Sequence, residues 1–390
     1  MIALNNRRAR EAIALQSALS LPVLKDRESC AKLMNEKLLL ENVIVKHIAG
    51  SRSYGTDIPT SDKDIRGIFI ADPVYYRTPF FNIGEINIPN EEDGKLYELN
   101  KFTSLCAECN PNIMETLWVD EKDVIMKTKS YDILRHFREE FLSTKAATKY
   151  TGFADEQLKR IKGHNKWISN PQSIAPPRQI DYVSLVRNYT ENKLLPRDFK
   201  LANFKNNWRL IPYGHDIFGL TKMNGYQSFS DDFTLNTNCN HDDFNHPDLI
   251  VKFNKDVYVA AKDKWSNYWK WKENRNEERG LLEEKFGYDT RHASHLIRLL
   301  RMGLEIISTG QCMVRRTDAE ELKAIRYDGI WTYEKVIDYS DSMKEKIKIA
   351  LKTTKLPTEP NYEKLANVTI SAQDVFFKQL ANIKNNTLIK

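Results

Sequence analysis

Residues 43–71, VIVKHIAGSRSYGTDIPTSDKDIRGIFIA, constrain this chain more than any other stretch. Val43, Val45 and Ile48 predict a short strand running into Gly50-Ser51. A polar, turn-rich connection follows. Asp62-Lys63-Asp64 then opens a second strand, carried by Ile65, Ile68, Phe69 and Ile70 and stopped by Asp72-Pro73.

Each piece has a chemical use. Residues two apart on a strand project to the same face, so Asp62 and Asp64 are expected side by side. Like charges held that close repel unless a cation lies between them. Oxygen ligands suit Mg²⁺, and a pair of such ions held by carboxylates outlines a phosphoryl-transfer centre. Gly50, without a Cβ, lets the backbone approach a phosphate and offer its N–H groups, and Ser51 adds a hydroxyl. The ten residues from Arg52 to Ser61 suffice for a loop that brings the two halves together. A third carboxylate is expected to complete the ligand set and help deprotonate the attacking hydroxyl. Glu98 is preferred, because Lys95-Leu96-Tyr97-Glu98-Leu99 reads as a short strand directly before a helix; Asp93, Glu92 and Glu85 compete with it.

Gly50-Ser51, ten residues, then Asp-x-Asp resembles the signature of nucleotidyltransferases of the DNA polymerase beta superfamily. More narrowly, Gly50-Ser51-Arg52-Ser53-Tyr54-Gly55 and Ser61-Asp62-Lys63-Asp64-Ile65-Arg66-Gly67 resemble the bacterial and phage members linked to RNA repair. Lys63 stands where the wider signature has an apolar residue. The blocks Tyr97 to Phe102 and Asn110 to Trp118 are similar to the next blocks of that family, which favours Glu98; Asn100 stands where the family carries arginine. Glu115, among Ile113, Met114, Leu117 and Trp118, reads as a buried structural acid. Phe141 to Ala146 and Tyr150-x-Gly152-Phe153-Ala154 also resemble family blocks, making Lys145 and Tyr150 candidates for triphosphate and base. So does Gly287 to Gly303, where His295, Arg298 and Met302 share a helical face and Arg298 is a candidate phosphate ligand; packing between domains is the other use for that face. Arg52 and Arg66 are candidates for phosphate or acceptor contacts.

The rest of the chain is read from its own pattern. Helices are expected over 5–18 and 29–41, the second with Leu33, Leu38 and Leu40 inward, and over 131–162. Residues 163–253 are broken by Pro171, Pro176, Pro177 and Pro196 and carry strand-like runs from Leu210. The helix expected over 254–279 bears Tyr258, Trp265, Tyr268, Trp269 and Trp271, an aromatic band read as core before base-stacking surface. Thr317 with Glu320 predicts a capping box, and Pro357 and Pro360 set off a final helix. The fold class is therefore α+β: a nucleotidyltransferase-type mixed sheet with flanking helices in residues 1–130, linking helices in 131–165, a β-containing insertion in 166–253 and a C-terminal helical domain in 254–390.

Composition narrows the partners. Five cysteines at 30, 106, 109, 239 and 312 make no secreted disulfide framework and point to a reducing cytoplasm. Cys106-x-x-Cys109 lacks a second pair for zinc, and Cys239, His241 and His246 lie in an Asn- and Asp-rich run that reads as a loop. No apolar run is long enough to cross a bilayer or serve as a signal peptide. Residues 138–209 hold 14 Lys and Arg against 7 Asp and Glu, which suits a polyanion.

The expectation is a metal-dependent nucleotidyltransferase. Asp62, Asp64 and Glu98 hold two Mg²⁺ ions, with Mn²⁺ as a substitute, while Gly50 and Ser51 hold phosphates of a nucleoside triphosphate. The resemblance implies an RNA end, such as a tRNA 3′ end, as acceptor. A protein hydroxyl, a tRNA-blocking toxin activity and a non-catalytic nucleic-acid-binding module are the alternatives.

Overall fold

The computed structural model describes residues 42–77, 82–88, 93–188, 208–222, 247 and 249–387. The helices expected over 5–18 and 29–41, and Cys30, Cys239, His241 and His246, lie outside these residues. Contacts divide the chain into two compact units, one formed by residues up to Ile161 together with Thr290 onward, the other by Lys162–Asp289.

The first unit is built on the β-branched run Val43–Ile48 (β1). Val43, Ile44, Val45 and His47 are all buried, so both faces of this strand are covered, as befits an inner strand. The short helix Gly50–Tyr54 (α1) follows directly. Strands Ile65–Phe69 (β2), Glu85–Asn87 (β3), Gly94–Glu98 (β4) and Val124–Lys127 (β5) complete a mixed sheet of order β3-β4-β2-β1-β5. β1 is antiparallel to both β2 and β5, β3 is antiparallel to β4, and β2 runs parallel to β4. Ile65, Phe69, Ala71, Ile86, Ile88 and Leu96 pack with Val43 on one face.

Helix Leu99–Ala107 (α2) leaves β4 without a loop. Lys129–His136 (α3) and Lys145–Ser169 (α4) replace the single helix expected from 131 to 162. The chain breaks there because Phe141 and Leu142 turn into the core, Leu142 in extended backbone. Tyr150 on α4 is fully buried.

The second unit contains a four-stranded antiparallel sheet of order β6-β9-β8-β7, from Val183–Asn188 (β6), Trp208–Gly214 (β7), Ile217–Lys222 (β8) and Leu249–Phe253 (β9). Val183, Phe218, Leu249, Val251 and Phe253 form its core, with Tyr182 and Tyr258 packed against it. Two helices, Lys255–Asn274 (α5) and Glu277–Phe286 (α6), belong to this unit; the chain leaves the first at Arg275, whose backbone is extended, and Asn276 caps the second. The aromatic band of α5 packs internally: Tyr268 lies against Trp269 and Trp271, and the Trp265 and Trp269 indoles both donate to the Ser173 carbonyl.

Residues from Thr290 onward return to the first unit. Thr290–Thr309 (α7) packs along Tyr333–Leu351 (α8), and Tyr362–Thr387 (α9) lies against α2 and α3. The expected capping box at Thr317 and Glu320 does not form. Asp318 precedes the short helix Ala319–Lys323, its carboxylate taken by Arg301 and Arg316. Among the described residues no helix is long and apolar enough to cross a membrane.

Within the second unit His164 sits 3.2 Å from both Glu283 and Asp289, beside Arg275 and Arg279. Burial works to lower the His164 pKa, but hydrogen bonds to Asp289 and Glu283 and their charges outweigh it, raising it to about 9. The folded value exceeds the unfolded one, so this stabilisation is complete below about pH 6.5 and is lost as pH rises through about 9. His164→Gln is therefore expected to lower the melting temperature at pH 6 and to have much less effect above pH 9.5, as read by circular dichroism.

Candidate active site

Strand directions bring three chain segments to one edge of the mixed sheet. Because β1 and β2 are antiparallel, Ile48 pairs with Ile65, so the end of β1 meets the start of β2. Because β2 and β4 are parallel, Ile65 pairs with Gly94, so the residues before these two strands are also neighbours. Gly50, Asp64 and Asp93 thus share an edge.

The aspartates lie in the approach to β2 and not within it, a correction to the strand reading. Asp62 is exposed and Asp64 half-buried, with β2 beginning at Ile65. The Asp64 carbonyl accepts from the Ala49 N–H at 2.9 Å, pinning the loop to the start of α1. Its carboxylate lies against Gly50, where an added Cβ would come within 1.9 Å of Oδ2. Gly50 also has φ +65°, so two independent constraints demand glycine there. Burial, then the charges of Asp93 and Asp62, push the Asp64 carboxyl up, against the opposing influence of Arg66 and Arg291. None of Asp62, Asp64 and Asp93 forms an ion pair or side-chain hydrogen bond among the described residues. Ser51 is part-exposed beside them, its hydroxyl also unengaged among the described residues.

Helix α1 is held from behind by a buried polar contact. The Tyr54 phenol donates to Glu115 Oε2 at 2.6 Å, and Arg298 Nη1 on α7 pairs with Glu115 Oε1 at 2.9 Å. The same guanidinium lies 3.8 Å from the Tyr54 ring centroid. Burial, above all, raises the Tyr54 phenol well above its ordinary value and keeps it a donor. The Tyr54 carbonyl accepts from Arg316 N–H at 3.0 Å, and Gly55 ends α1 in the left-handed conformation.

Residues 27–171 match the family described as the RNA repair pathway DNA polymerase beta family. Over this segment the chain is similar to a DNA polymerase beta-like nucleotidyltransferase family. No curated protein and no solved structure matches the chain. The mixed sheet with its flanking helices agrees with an α+β nucleotidyltransferase fold.

Other sequence candidates lie elsewhere in the first unit. Glu98 is not beside the aspartates: it pairs with Phe69, four residues beyond the Ile65–Gly94 pair, or roughly 13 Å along the strands. It is buried and caps α2, accepting from the Asn100 and Lys101 N–H groups at 2.6 and 3.4 Å. Arg52 donates to the carbonyls of Ser61 and Asp62, bracing the loop. Lys145 is engaged by Glu108, Glu359 and Tyr362. Tyr150 faces Cys312 in the core, its hydroxyl 3.8 Å from the sulfur, so it presents no ring to a base. Arg298 is committed to Glu115 and sealed from solvent, which removes it as a phosphate ligand.

Arg66 remains at the site, and His295 on α7 is the other candidate left without a charged partner among the described residues. Arg66 donates through Nη1 to the Ile65 and Asp93 carbonyls, beside the acids. His295 is part-buried, makes no hydrogen bond among the described residues, and is held far below its ordinary pKa by burial and then by the neighbouring Arg298 and Arg291. Arg291, which sequence reasoning passed over, acts on Asp64 as well.

The carboxylate trio suits a hard divalent cation by its chemistry: three anionic oxygen groups at one edge, unmatched by any ion pair among the described residues. The cluster of His164, Glu283 and Asp289 in the second unit is a different case. Its carboxylates are already matched by Arg275, Arg279 and His164.

Two outcomes follow. Arg298→Met leaves Glu115 buried without its partner and is expected to cost about 3–5 kcal/mol in urea denaturation, with part recovered by adding Glu115→Gln. Gly50→Ala forces the φ +65° conformation on a residue with a Cβ and displaces Asp64, at about 1–3 kcal/mol on the same assay.

Proposed function

We propose that this protein transfers a nucleoside monophosphate from a nucleoside triphosphate to an acceptor hydroxyl, with the end of an RNA as acceptor. The observation that carries the reading is the group of three uncommitted carboxylates, Asp62, Asp64 and Asp93, at the sheet edge where Gly50 opens α1. Asp93 takes the place that sequence pattern assigned to Glu98, because the parallel pairing of β2 and β4 aligns the residue before one strand with the residue before the other.

In this reading Asp62, Asp64 and Asp93 would hold Mg²⁺, which supplies Lewis-acid stabilisation of charge on the transferring phosphoryl group. Gly50 leaves the backbone open to a phosphate, and the free Ser51 hydroxyl donates to one of its oxygens. Arg52 keeps the Asp62 loop in place through its carbonyls. The acceptor oxygen bonds to the α-phosphorus as the bond to the α,β-bridging oxygen breaks. Pyrophosphate leaves with that electron pair, and the acceptor proton passes to a carboxylate of the set and on to solvent. The RNA acceptor is supported by the wording of the matched family and by the excess of Lys and Arg over 138–209.

The test is incubation of the protein with each labelled nucleoside triphosphate, Mg²⁺, and either bulk tRNA or protein extract. Label is expected on RNA; label on protein alone would move the proposal to a protein-modifying transferase, and no label with either would remove the transferase reading. Asp62→Asn, Asp64→Asn and Asp93→Asn are each expected to reduce transfer by more than about 100-fold. Glu98→Gln is expected to stay within about tenfold of the parent, while Glu98→Ala loses a helix cap worth about 1 kcal/mol.

A further inference from the structure

Five acidic side chains are buried among the described residues: Glu98, Glu115, Asp123, Glu283 and Asp289. Four of them meet an arginine. Glu115 meets Arg298, Asp123 meets Arg315, Glu283 meets Arg275 and Asp289 meets Arg279. Glu98 has no ion pair among the described residues, although a buried carboxylate without a counter-charge is among the costliest groups a fold can hold. Its two oxygens are treated unequally. Oε2 accepts from the Asn100 and Lys101 N–H groups as the cap of α2, whereas Oε1 is buried and accepts from no group among the described residues. Burial pushes the carboxyl up, against the influence of the backbone N–H groups around it.

Glu98 lies in the wall of a pocket of about 660 Å³ that also takes in Tyr75, Asn82, Ile83, Asn100 and Lys101. This pocket is at the far end of β2 and β4 from the aspartates, since Glu98 pairs with Phe69 where those strands finish. Tyr75 and Ile83 pack on the sheet core and give the pocket an apolar side, while the exposed Asn82 and Asn100 give it amides. Lys101, the cation in the lining, is engaged elsewhere. Its Nζ pairs with Glu85 at 2.8 Å, and its stem lies across Gly84, where an added Cβ would come within 2.7 Å of Cδ. A surface pair of that kind is worth little, so the Lys101 side chain gives way to a ligand at small cost.

We propose that this pocket binds a small ligand through a guanidinium or chemically equivalent N–C–N edge, with Glu98 as the acceptor of its N–H groups. The chain's own treatment of its other buried acids sets the chemistry. A guanidinium places two N–H donors against a carboxylate, and Oε1 keeps its lone pairs free for them. An ammonium group matches the charge alone, whereas a guanidinium, planar and weakly hydrated, also tolerates the apolar contact of Tyr75 and Ile83. Guanine carries the same N–H pair without the charge and is the second source of this edge. The assignment is independent of nucleotidyl transfer, because Asp62, Asp64 and Asp93 contribute nothing to the pocket.

The experiment titrates butylguanidinium, butylammonium and guanosine into the full-length protein and its Glu98→Gln and Asn82→Trp variants by isothermal titration calorimetry, with Mg²⁺ in excess to compete for other carboxylates. Butylguanidinium is expected to bind the parent about tenfold more tightly than butylammonium. It is expected to lose about tenfold to a hundredfold in Glu98→Gln, which keeps an oxygen for the helix cap but removes the charge. Asn82→Trp, a change at an exposed lining position, is expected to weaken binding similarly with the carboxylate intact, so a fold defect in Glu98→Gln, read as a lowered melting temperature, does not decide the matter. A Glu98-dependent signal from guanosine and none from butylguanidinium supports the N–C–N edge and assigns it to a base. Affinity unchanged in either variant, butylammonium bound as tightly as butylguanidinium, or neither N–C–N ligand bound by the parent overturns the proposal. None of these outcomes bears on the transferase reading.

Discussion

The buried contact among Tyr54, Glu115 and Arg298 is the constraint on which the site depends. It joins three distant parts of the chain: the helix that opens the glycine turn, the segment after α2, and the first half of α7. Its value is not large net stability, since a buried ion pair roughly breaks even against apolar residues of equal size. What it supplies is direction. A guanidinium stacked on one ring and paired with one carboxylate fixes the rotation of α7 about its axis, with the Arg298 face turned to Tyr54 and Glu115. Slippage of one residue in α7 would swing that face by about 100° and strand Glu115 without a cation.

On the other side of α1 the constraint is steric. Asp64 packs so close to Gly50 that no side chain fits between them, and the Ala49 N–H holds the same residue by its carbonyl. The carboxylate is half-buried and the charges of Asp93 and Asp62 act on it, with no ion pair among the described residues to relieve that repulsion. An arrangement that costs stability and is held rigidly from behind is characteristic of a site that meets its compensating charges in a ligand.

Much of this was legible in the sequence, and what was not has specific causes. The strands of 43–71, the strand before Leu99 and the buried nature of Glu115 follow from periodicity and from an acid set among large apolar residues. The neighbourhood of Gly50 and Asp64 follows from a loop between paired strands. Glu98 is favoured in the sequence by its strand-like run before a helix and by the family resemblance of its block, whereas which end of β4 lies beside Asp64 depends on the parallel pairing of β2 and β4, which pattern alone does not give. Lys145, Tyr150 and Arg298 illustrate a second limit. Residue type marks them as possible phosphate or base contacts, but whether each points to a cleft, a carboxylate or the core depends on partners more than 35 residues away. The break between α3 and α4 is tertiary for the same reason, since Phe141 and Leu142 leave the helix only because a core exists to receive them.

The two charge clusters of the chain show how structure separates a support from a site. Around His164, two carboxylates are matched by two guanidiniums and an imidazole whose pKa they raise, so the charges close on themselves and contribute to the second unit's own stability. At the sheet edge of the first unit the acids have no ion pair among the described residues, Arg66 is bonded only to backbone carbonyls, and a Cβ on Gly50 would meet the Asp64 carboxylate. Among the described residues only the His164 cluster brings its three ligand atoms within 4.8 Å of one another, yet composition treats the two clusters alike. Among the described residues the acids of the second cluster have no charged partner, which is the difference that separates it from the self-matched first.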